Sequence, residues 1–454
     1  MRILESGYKG GDVSEAKVLV IIVTYNKKEY VGNLLTSLQR INYKNYDAVV
    51  VDNASTDGTV EHLTAHFPGV KLIRNNENTG GSGGFNTGLN YAFGMDDYPY
   101  YWLLDNDVEV SKEALTELVK VLDEHPDIAV AGSQMCQLDN PEVTNEIGAY
   151  VDLHNGGLIL NRHLTRRRNN STGIFYVDYV AAASMLVRAD IAKKAGLWED
   201  FFIHFDDVDW CLRIKEMGHK VAGVADSVIW HLSAAEKPIT WQQYYDVRNM
   251  LFLLDKHAGT KAVARFGRRK CLQALYTELR GMTPLAEIIL DAIDDFHSDR
   301  KGKKTFHFPE HIDDAVLKSN HPAERVFICQ NEWTDLKQFP LENEQFASIK
   351  EIMTPPYLID AIKYWHNTNP QLLFRFNRIM RALLLIMGLL GYRRYTRAYV
   401  DIRNMPLMAS FLTDELVVRI NEMNWVIRRD RSSVWKNLLR ISRRSIKHYV
   451  RFSI

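Results

Sequence analysis

Residues 17–23 read KVLVIIV, an apolar and largely β-branched run with no polar position after its first residue. Such a run predicts a strand covered on both faces, as in a parallel sheet. Leu34, Leu35 and Leu38 share one face of the stretch 29–41, which predicts the helix that follows. A second strand is expected at 46–51. It leads into a polar loop, 52–58, in which Asp57 is placed to cap the next helix. Strands at 70–73 and 101–104 continue the series, with a Gly-rich loop and helix at 80–94 between them. Strands alternating with helices at this spacing predict an α/β, doubly wound, mostly parallel sheet. Ligands in such sheets bind beyond the carboxyl ends of the strands. The polar clusters Thr24-Tyr25-Asn26, Asp52-Asn53 and Asp105-Asn106-Asp107 all fall at those ends, which makes them the first candidate functional residues.

The pattern changes near residue 255. We expect a polar tail over 1–16, the α/β domain over 17–255, and a helical and irregular extension over 256–370. That extension has helical runs at 261–280 and 285–296 and a polar, strand-poor stretch at 297–350. A basic helical region follows at 371–454. A chain of 454 residues has room for two or three domains, and 46% hydrophobic residues exclude a disordered protein. Basic and acidic residues balance at 56 each, yet 371–454 holds 17 basic against 5 acidic. A nucleic-acid module spread along the chain is therefore excluded. In the basic region, Arg393, Arg394, Arg397, Arg428, Arg429, Arg431, Arg440, Arg443, Arg444 and Lys447 alternate with Trp425, Trp435, Leu438, Leu439 and Tyr449. That pattern fits a solvated helical bundle or contact with an anionic membrane surface. Cys136, Cys211, Cys271 and Cys329 form no C-x-x-C pair, so neither a zinc cluster nor a disulfide framework is indicated. The first residues have no apolar signal core, and the longest apolar run is short of the roughly 20 residues that span a bilayer. The expected location is cytoplasmic, peripheral on the inner face of the membrane.

Asp105 and Asp107 flank one residue at a strand end and can direct oxygens to one hard cation, Mg²⁺ or Mn²⁺. An acidic pair after a strand is also an ordinary turn. A second cluster, residues 201–210 (FFIHFDDVDW), sets Asp206, Asp207 and Asp209 among aromatics. A carboxylate desolvated by such neighbours has a raised pKa and can serve as a general base. It can equally cap the helix that starts there. Residues 229–231 (Ile-Trp-His) end another apolar segment. Residues 78–88 are Gly-rich and open a helix, and their backbone N–H groups could meet a pyrophosphate. They match neither G-x-x-x-x-G-K-[ST] nor a first-strand G-x-G-x-x-G.

Taken together and in order, VTYN (23–26), VDNASTDG (51–58), DND (105–107) and FDDVD (205–209) resemble glycosyltransferase family 2, with the GT-A fold. The resemblance covers roughly 17–254. Residues 80–85 (GGSGGF), with the pair Trp230-His231 and 241–249 (WQQYYDVRN), look most like bacterial galactofuranosyltransferases. Residues 180–186 (VAAASML) look more like rhamnosyltransferases.

The resemblance implies roles. Thr24, Tyr25 and Asn26 would line the nucleotide pocket and Asp52, beside Asn53, would bond the uracil. Asn78, Gly80, Gly81 and Asn106 would lie near the donor sugar and phosphates. Asp105, Asp107 and His231 would bind Mn²⁺ or Mg²⁺, and Asp207 would deprotonate the acceptor hydroxyl in a single inverting displacement. Asp206 and Trp198 would contact the acceptor. The implied partners are a UDP-sugar donor, with galactofuranose favoured, and a cell-surface glycan or lipid-linked acceptor. A homo-oligomer is possible on this reading. Two alternatives stand beside it: a rhamnosyltransferase using dTDP-rhamnose, and a non-catalytic sugar-nucleotide-binding protein.

Overall fold

The computed structural model describes residues 16–166, 173–232, 241–279, 282–306 and 431–453, and the backbone of seven strands between 311 and 428. The chain divides into two compact units, neither continuous in sequence. One holds residues up to Glu236 with Arg248–Val263 and Asp295–Lys304, and the other holds Lys237–Val247, Ala264–Asp294 and the chain from Thr305.

In the first unit the chain runs β1 (Val18–Thr24), α1 (Lys28–Gln39), β2 (Tyr46–Asp52), α2 (Thr59–His66), β3 (Lys71–Arg74), α3 (Gly80–Phe93), β4 (Tyr100–Asp105) and β5 (Val108–Val110). It continues through α4 (Ala114–Glu124), β6 (Ile128–Gln137), β7 (Val143–Glu146), β8 (Ala149–Val151), β9 (Leu158–Leu160), β10 (Thr165–Arg166) and β11 (Ile174–Val177). Then come β12 (Met185–Arg188), α5 (Ala189–Ala195), α6 (Asp206–Glu216) and β13 (Lys220–His231). The expected elements up to β4 are all present, with ends within two residues of the pattern.

Strands β3, β2, β1 and β4 lie side by side and parallel. β12 is antiparallel between β4 and β6, and β13 runs parallel to β6 and antiparallel to β5. Every position of β1 is buried, as the apolar run predicts. Val18, Val20 and Ile22 face a core with Val31, Leu34, Leu35 and Leu38 of α1 and Leu115, Leu118 and Leu122 of α4. On the other face α3 lies close on the sheet. A Cβ at Gly84 would sit 2.4 Å from Val23, and one at Gly88 2.3 Å from Ile21. Two of the five glycines in residues 78–88 thus serve helix-to-sheet contact, a role the sequence reading did not separate from phosphate binding.

α7 (Gln242–His257) is followed by α8 (Thr260–Leu279) and α9 (Thr283–His297). The last helix is α10 (Arg431–Arg451). α8 and α9 overlap the helical runs expected at 261–280 and 285–296. The backbone between α9 and α10 also forms strands β14 (His311–Ile312), β15 (Arg325–Cys329), β16 (Glu351–Thr354), β17 (Leu373–Arg375), β18 (Tyr395–Asp401), β19 (Thr413–Ile420) and β20 (Met423–Arg428), paired in one sheet. Within 371–454 the β-branched stretches of β19 and β20 pair as antiparallel neighbours, a long-range choice that helical periodicity does not reveal. The polar tail before Ala16, most of 297–350, and the side chains of Arg393, Arg394, Arg397, Trp425, Arg428, Arg429, Arg431 and Trp435 lie outside the described residues. No described helix is long and apolar enough to cross a membrane.

Candidate active site

Parallel register sets the first half of the site. Thr24 pairs with Asp52, and Val23 pairs with Asp105, so three strands end at one level. Asn106 Nδ2 donates to Thr24 Oγ1 at 3.0 Å and ties the acidic turn to the end of β1. The turn then enters β5, which pairs with the end of β13, and His231 falls opposite Val108. His231 Nε2 thereby comes to 3.1 Å from Asp107 Oδ1. Donor atoms of Asp105, Asp107 and His231 all lie within 4.8 Å of one another. Octahedral ligands about 2.1 Å from an ion sit no more than roughly 4.2 Å apart, so a small inward adjustment lets the three share one cation. Two carboxylates and an imidazole suit a hard or borderline divalent ion.

The glycine helix and the aspartate helix meet through a strained loop. Phe202, His204 and Phe205 have φ of 67°, 65° and 67°, the left-handed region that non-glycine residues seldom occupy. The loop ends at Phe205, the residue that caps α6, so Asp206 and Asp207 are the first helical residues and neither is itself the cap. Phe202 O accepts the Ser82 N–H at 3.3 Å. Gly80, at φ +75°, leaves room for that carbonyl, which a Cβ there would meet at 2.0 Å.

Asp207 Oδ2 accepts the Ala182 N–H at 3.2 Å and its Oδ1 the Val208 N–H at 2.8 Å. Burial pushes its pKa well above the usual carboxylate value, and the charges of Asp206 and Asp105 add to the rise. Those two N–H groups oppose it and do not prevail. The influence of Asp105 ties Asp207 electrostatically to the metal-type cluster. Asp206 is buried, with Oδ2 taking the Ser82 hydroxyl at 2.6 Å, and burial raises its pKa too. Asp209 has the opposite fate. Burial alone would raise it, but the His257 hydrogen bond and the charges of Arg213 and Lys256 hold it to about 2. One three-aspartate motif therefore yields three electrostatic environments.

The remaining expected residues divide clearly. Asn26 N–H donates to Ser55 Oγ and its Oδ1 takes the Thr56 N–H, while Tyr25 is exposed. Asp52 is fully buried. Its oxygens accept the Ser55 N–H, and Arg74 Nε lies 3.5 Å away. Asn53 Nδ2 donates to Gly80 O at 2.8 Å and Asn78 Oδ1 at 3.2 Å, while its Oδ1 accepts from Asn75 and Thr79. Asn78 Oδ1 in turn receives the Gly80 N–H. Gly81 lies beside Asp206. Trp198 is buried between Phe85 and Trp210, with centroid distances of 4.8 and 5.7 Å, so Asp206 and Trp198 both sit beneath the surface.

The sequence reading missed Glu146, Ser82 and the pair Arg248 and Asn249. Burial lifts Glu146 to about 7, partly offset by the charges of His231 and His163. An isolated Glu in a short strand carries no sequence signal. Arg248 and Asn249 were legible as part of a motif, though without a role.

Residues 19–193 match the model described as Glycosyl transferase family 2. This segment is a family 2 glycosyltransferase domain. Among curated relatives, the galactofuranosyltransferase GlfT2 of Mycolicibacterium smegmatis is 24% identical over 266 residues, 53% of this chain and 41% of its own length. The dTDP-rhamnosyl transferase RfbF of Shigella flexneri is also 24% identical, over 255 residues, 53% of this chain and 81% of its own length. The chain thus spans under half the length of GlfT2. A solved structure of GalNAc-T7 with UDP, GalNAc and Mn²⁺ aligns at a TM-score of 0.45 and 15% identity, covering 66% of this chain and 59% of that one. Both expected kinships, with galactofuranosyl- and rhamnosyltransferases, recur among these relatives.

Proposed function

We propose that this chain is a metal-dependent, inverting glycosyltransferase that passes a sugar, with galactofuranose favoured, from a UDP-sugar to a hydroxyl of a cell-surface glycan or lipid-linked acceptor. The observation that carries the reading is the convergence of donor atoms of Asp105, Asp107 and His231 within 4.8 Å of one another. A carboxylate with a raised pKa stands electrostatically beside a two-carboxylate, one-imidazole cluster, in a family 2 domain.

Asp105, Asp107 and His231 would hold a divalent cation, which would supply charge neutralisation for a diphosphate leaving group. The chain's own groups do the rest. Thr24, the exposed Tyr25 and Asn26 border the nucleotide, with Asp52 and Asn53 shaping the loop beneath it. Asn78, Gly80 and Gly81 hold the donor side, and Asn106 fixes the acidic turn. Asp207 takes the acceptor proton as the hydroxyl oxygen attacks the anomeric carbon and the bond to the diphosphate oxygen breaks. No enzyme nucleophile is required, so configuration inverts.

The test is a donor screen with purified protein, Mn²⁺ or Mg²⁺ and a lipid-linked acceptor. Turnover with UDP-galactofuranose supports the reading. Turnover with dTDP-rhamnose alone replaces the donor, as the RfbF relative would favour. UDP binding without turnover by any donor leaves a non-catalytic binding protein.

The acceptor reading extends to a peripheral position on an anionic membrane. α10 has seven Lys and Arg and no acid. Ile441, Ser445 and His448 are buried, while Arg440 and Arg444 pair with Glu287, Asp291 and Asp294. Lys436, Leu439, Arg443, Ile446, Lys447 and Val450 are exposed, mixing cations with apolar groups as a membrane-surface helix does.

A further inference from the structure

We propose that Arg248 and Asn249 are positioning residues for the base, acting by clamping the left-handed loop that carries Asp207; this rests on the reading of Asp207 as the base. Both side chains lie on α7 and are essentially excluded from solvent. Asn249 Nδ2 points at three carbonyl oxygens, those of Phe201 at 3.1 Å, Ile203 at 2.7 Å and His204 at 3.0 Å. Arg248 Nη2 donates to Phe201 O at 2.9 Å and its Nη1 to Gly302 O at 2.8 Å.

One further bond makes the pair a unit. Arg248 Nε donates to Asn249 Oδ1 at 2.9 Å, which fixes the amide so that its NH₂ end, not its oxygen, faces the loop. A buried amide turned the other way would set oxygen against three oxygens. The two side chains therefore specify one orientation between them.

The clamped carbonyls are interleaved with the strained residues, and His204 is both. Phe202, His204 and Phe205 each hold a sparsely populated backbone conformation, and such conformations persist only when surroundings over-determine them. Bonds to the carbonyls of 201, 203 and 204 supply that determination. What the loop presents is functional on both sides. Phe202 O seats against Gly80 and Ser82 at the start of α3, and Phe205 launches α6 with Asp206 and Asp207 as its first residues. Releasing the clamp lets the base drift relative to the donor, and small misplacement of a reacting group costs rate more than binding.

The experiment uses the full chain with Mn²⁺ and the donor that turns over, in Asn249→Ser and Arg248→Lys. The serine cannot span the three carbonyls and leaves no buried charge. The lysine lacks the Nε that orients the amide. UDP titration measures the binding-competent fraction, and kcat is normalised to it so that unfolding is read separately. The expected result is a fall in normalised kcat of tenfold or more in both variants, with KM for the donor changed less than threefold. Adding His204→Gly to Asn249→Ser should recover at least threefold, because glycine holds a positive φ without strain. An unchanged normalised kcat, a change confined to KM, or no recovery with glycine overturns the positioning role. Turnover retained in Asp207→Asn fails the base reading instead. A dead Asp207→Asn beside an unaffected Asn249→Ser fails the clamp alone.

Discussion

The Ser82 hydroxyl donates to Asp206 Oδ2 at 2.6 Å, joining residues 124 apart in sequence. This buried bond ties the first turn of the glycine helix to the first turn of the helix that carries Asp207. Ser82→Ala removes the donor and leaves a buried carboxylate short of a partner, a loss of about 1–3 kcal/mol. We expect a melting temperature several degrees lower and a reduced kcat/KM, measured by thermal melts and steady-state transfer. Wild-type values for both would remove this bond from any role in the site.

Asp207→Asn should abolish transfer, by about 10²–10⁴-fold if general-base catalysis is the whole of its contribution. UDP binding should survive. The pH profile follows from the raised pKa. As pH falls, Asp207 is protonated earlier than an ordinary carboxylate near 4, so kcat drops on an acid limb above that value. Folding carries the opposite sign. A carboxylate raised in the folded state withdraws stability as pH rises above its unfolded pKa, so Asn at 207 should melt higher than wild type at neutral pH. A lower melting temperature would contradict the electrostatic picture.

Removing the divalent ion with EDTA should stop turnover, and Mn²⁺ or Mg²⁺ should restore it. His231→Ala and Asp105→Asn should each raise the metal concentration needed for half-maximal rate at least tenfold. An EDTA-insensitive enzyme would discard the role of this cluster.

Asp209 is buried among Arg213, Lys256 and His257. Its pKa of about 2 lies below the ordinary value, so its contribution is present above about pH 4 and is lost as pH falls toward 2. The difference corresponds to about 2 kcal/mol. Asp209→Asn leaves the three cationic groups without their shared carboxylate and should destabilise the fold by about 3 kcal/mol, read by urea unfolding. A change below about 1 kcal/mol would mean the network relaxes without it.

For α10, reversing charge at Lys436, Arg443 and Lys447 should weaken sedimentation with phosphatidylglycerol vesicles, and raised salt should weaken the wild type. Equal binding by the reversed protein would exclude this surface.

Sequence alone settled the architecture of the first four strands and the helices between them. The run 17–23 has no polar position to face water, so it must be covered on both faces, and the strand-helix alternation then aligns Thr24, Asp52 and Asp105 at one edge. The acidic turn and the aspartate cluster were readable as candidate chemistry from their residues, and His231 joined them only through the family resemblance. Tertiary structure decided everything that depends on long-range neighbours. Three aspartates at 206, 207 and 209 look alike in sequence, yet one is tied to Ser82, one is raised beside Asp105 and one is held to about 2 by three cations. Glu146 was silent for the same reason, and Arg248 and Asn249 were legible only as part of a motif, without a role. Their roles lie in distance, burial and the carbonyls they face, and those quantities exist only once the chain has closed on itself.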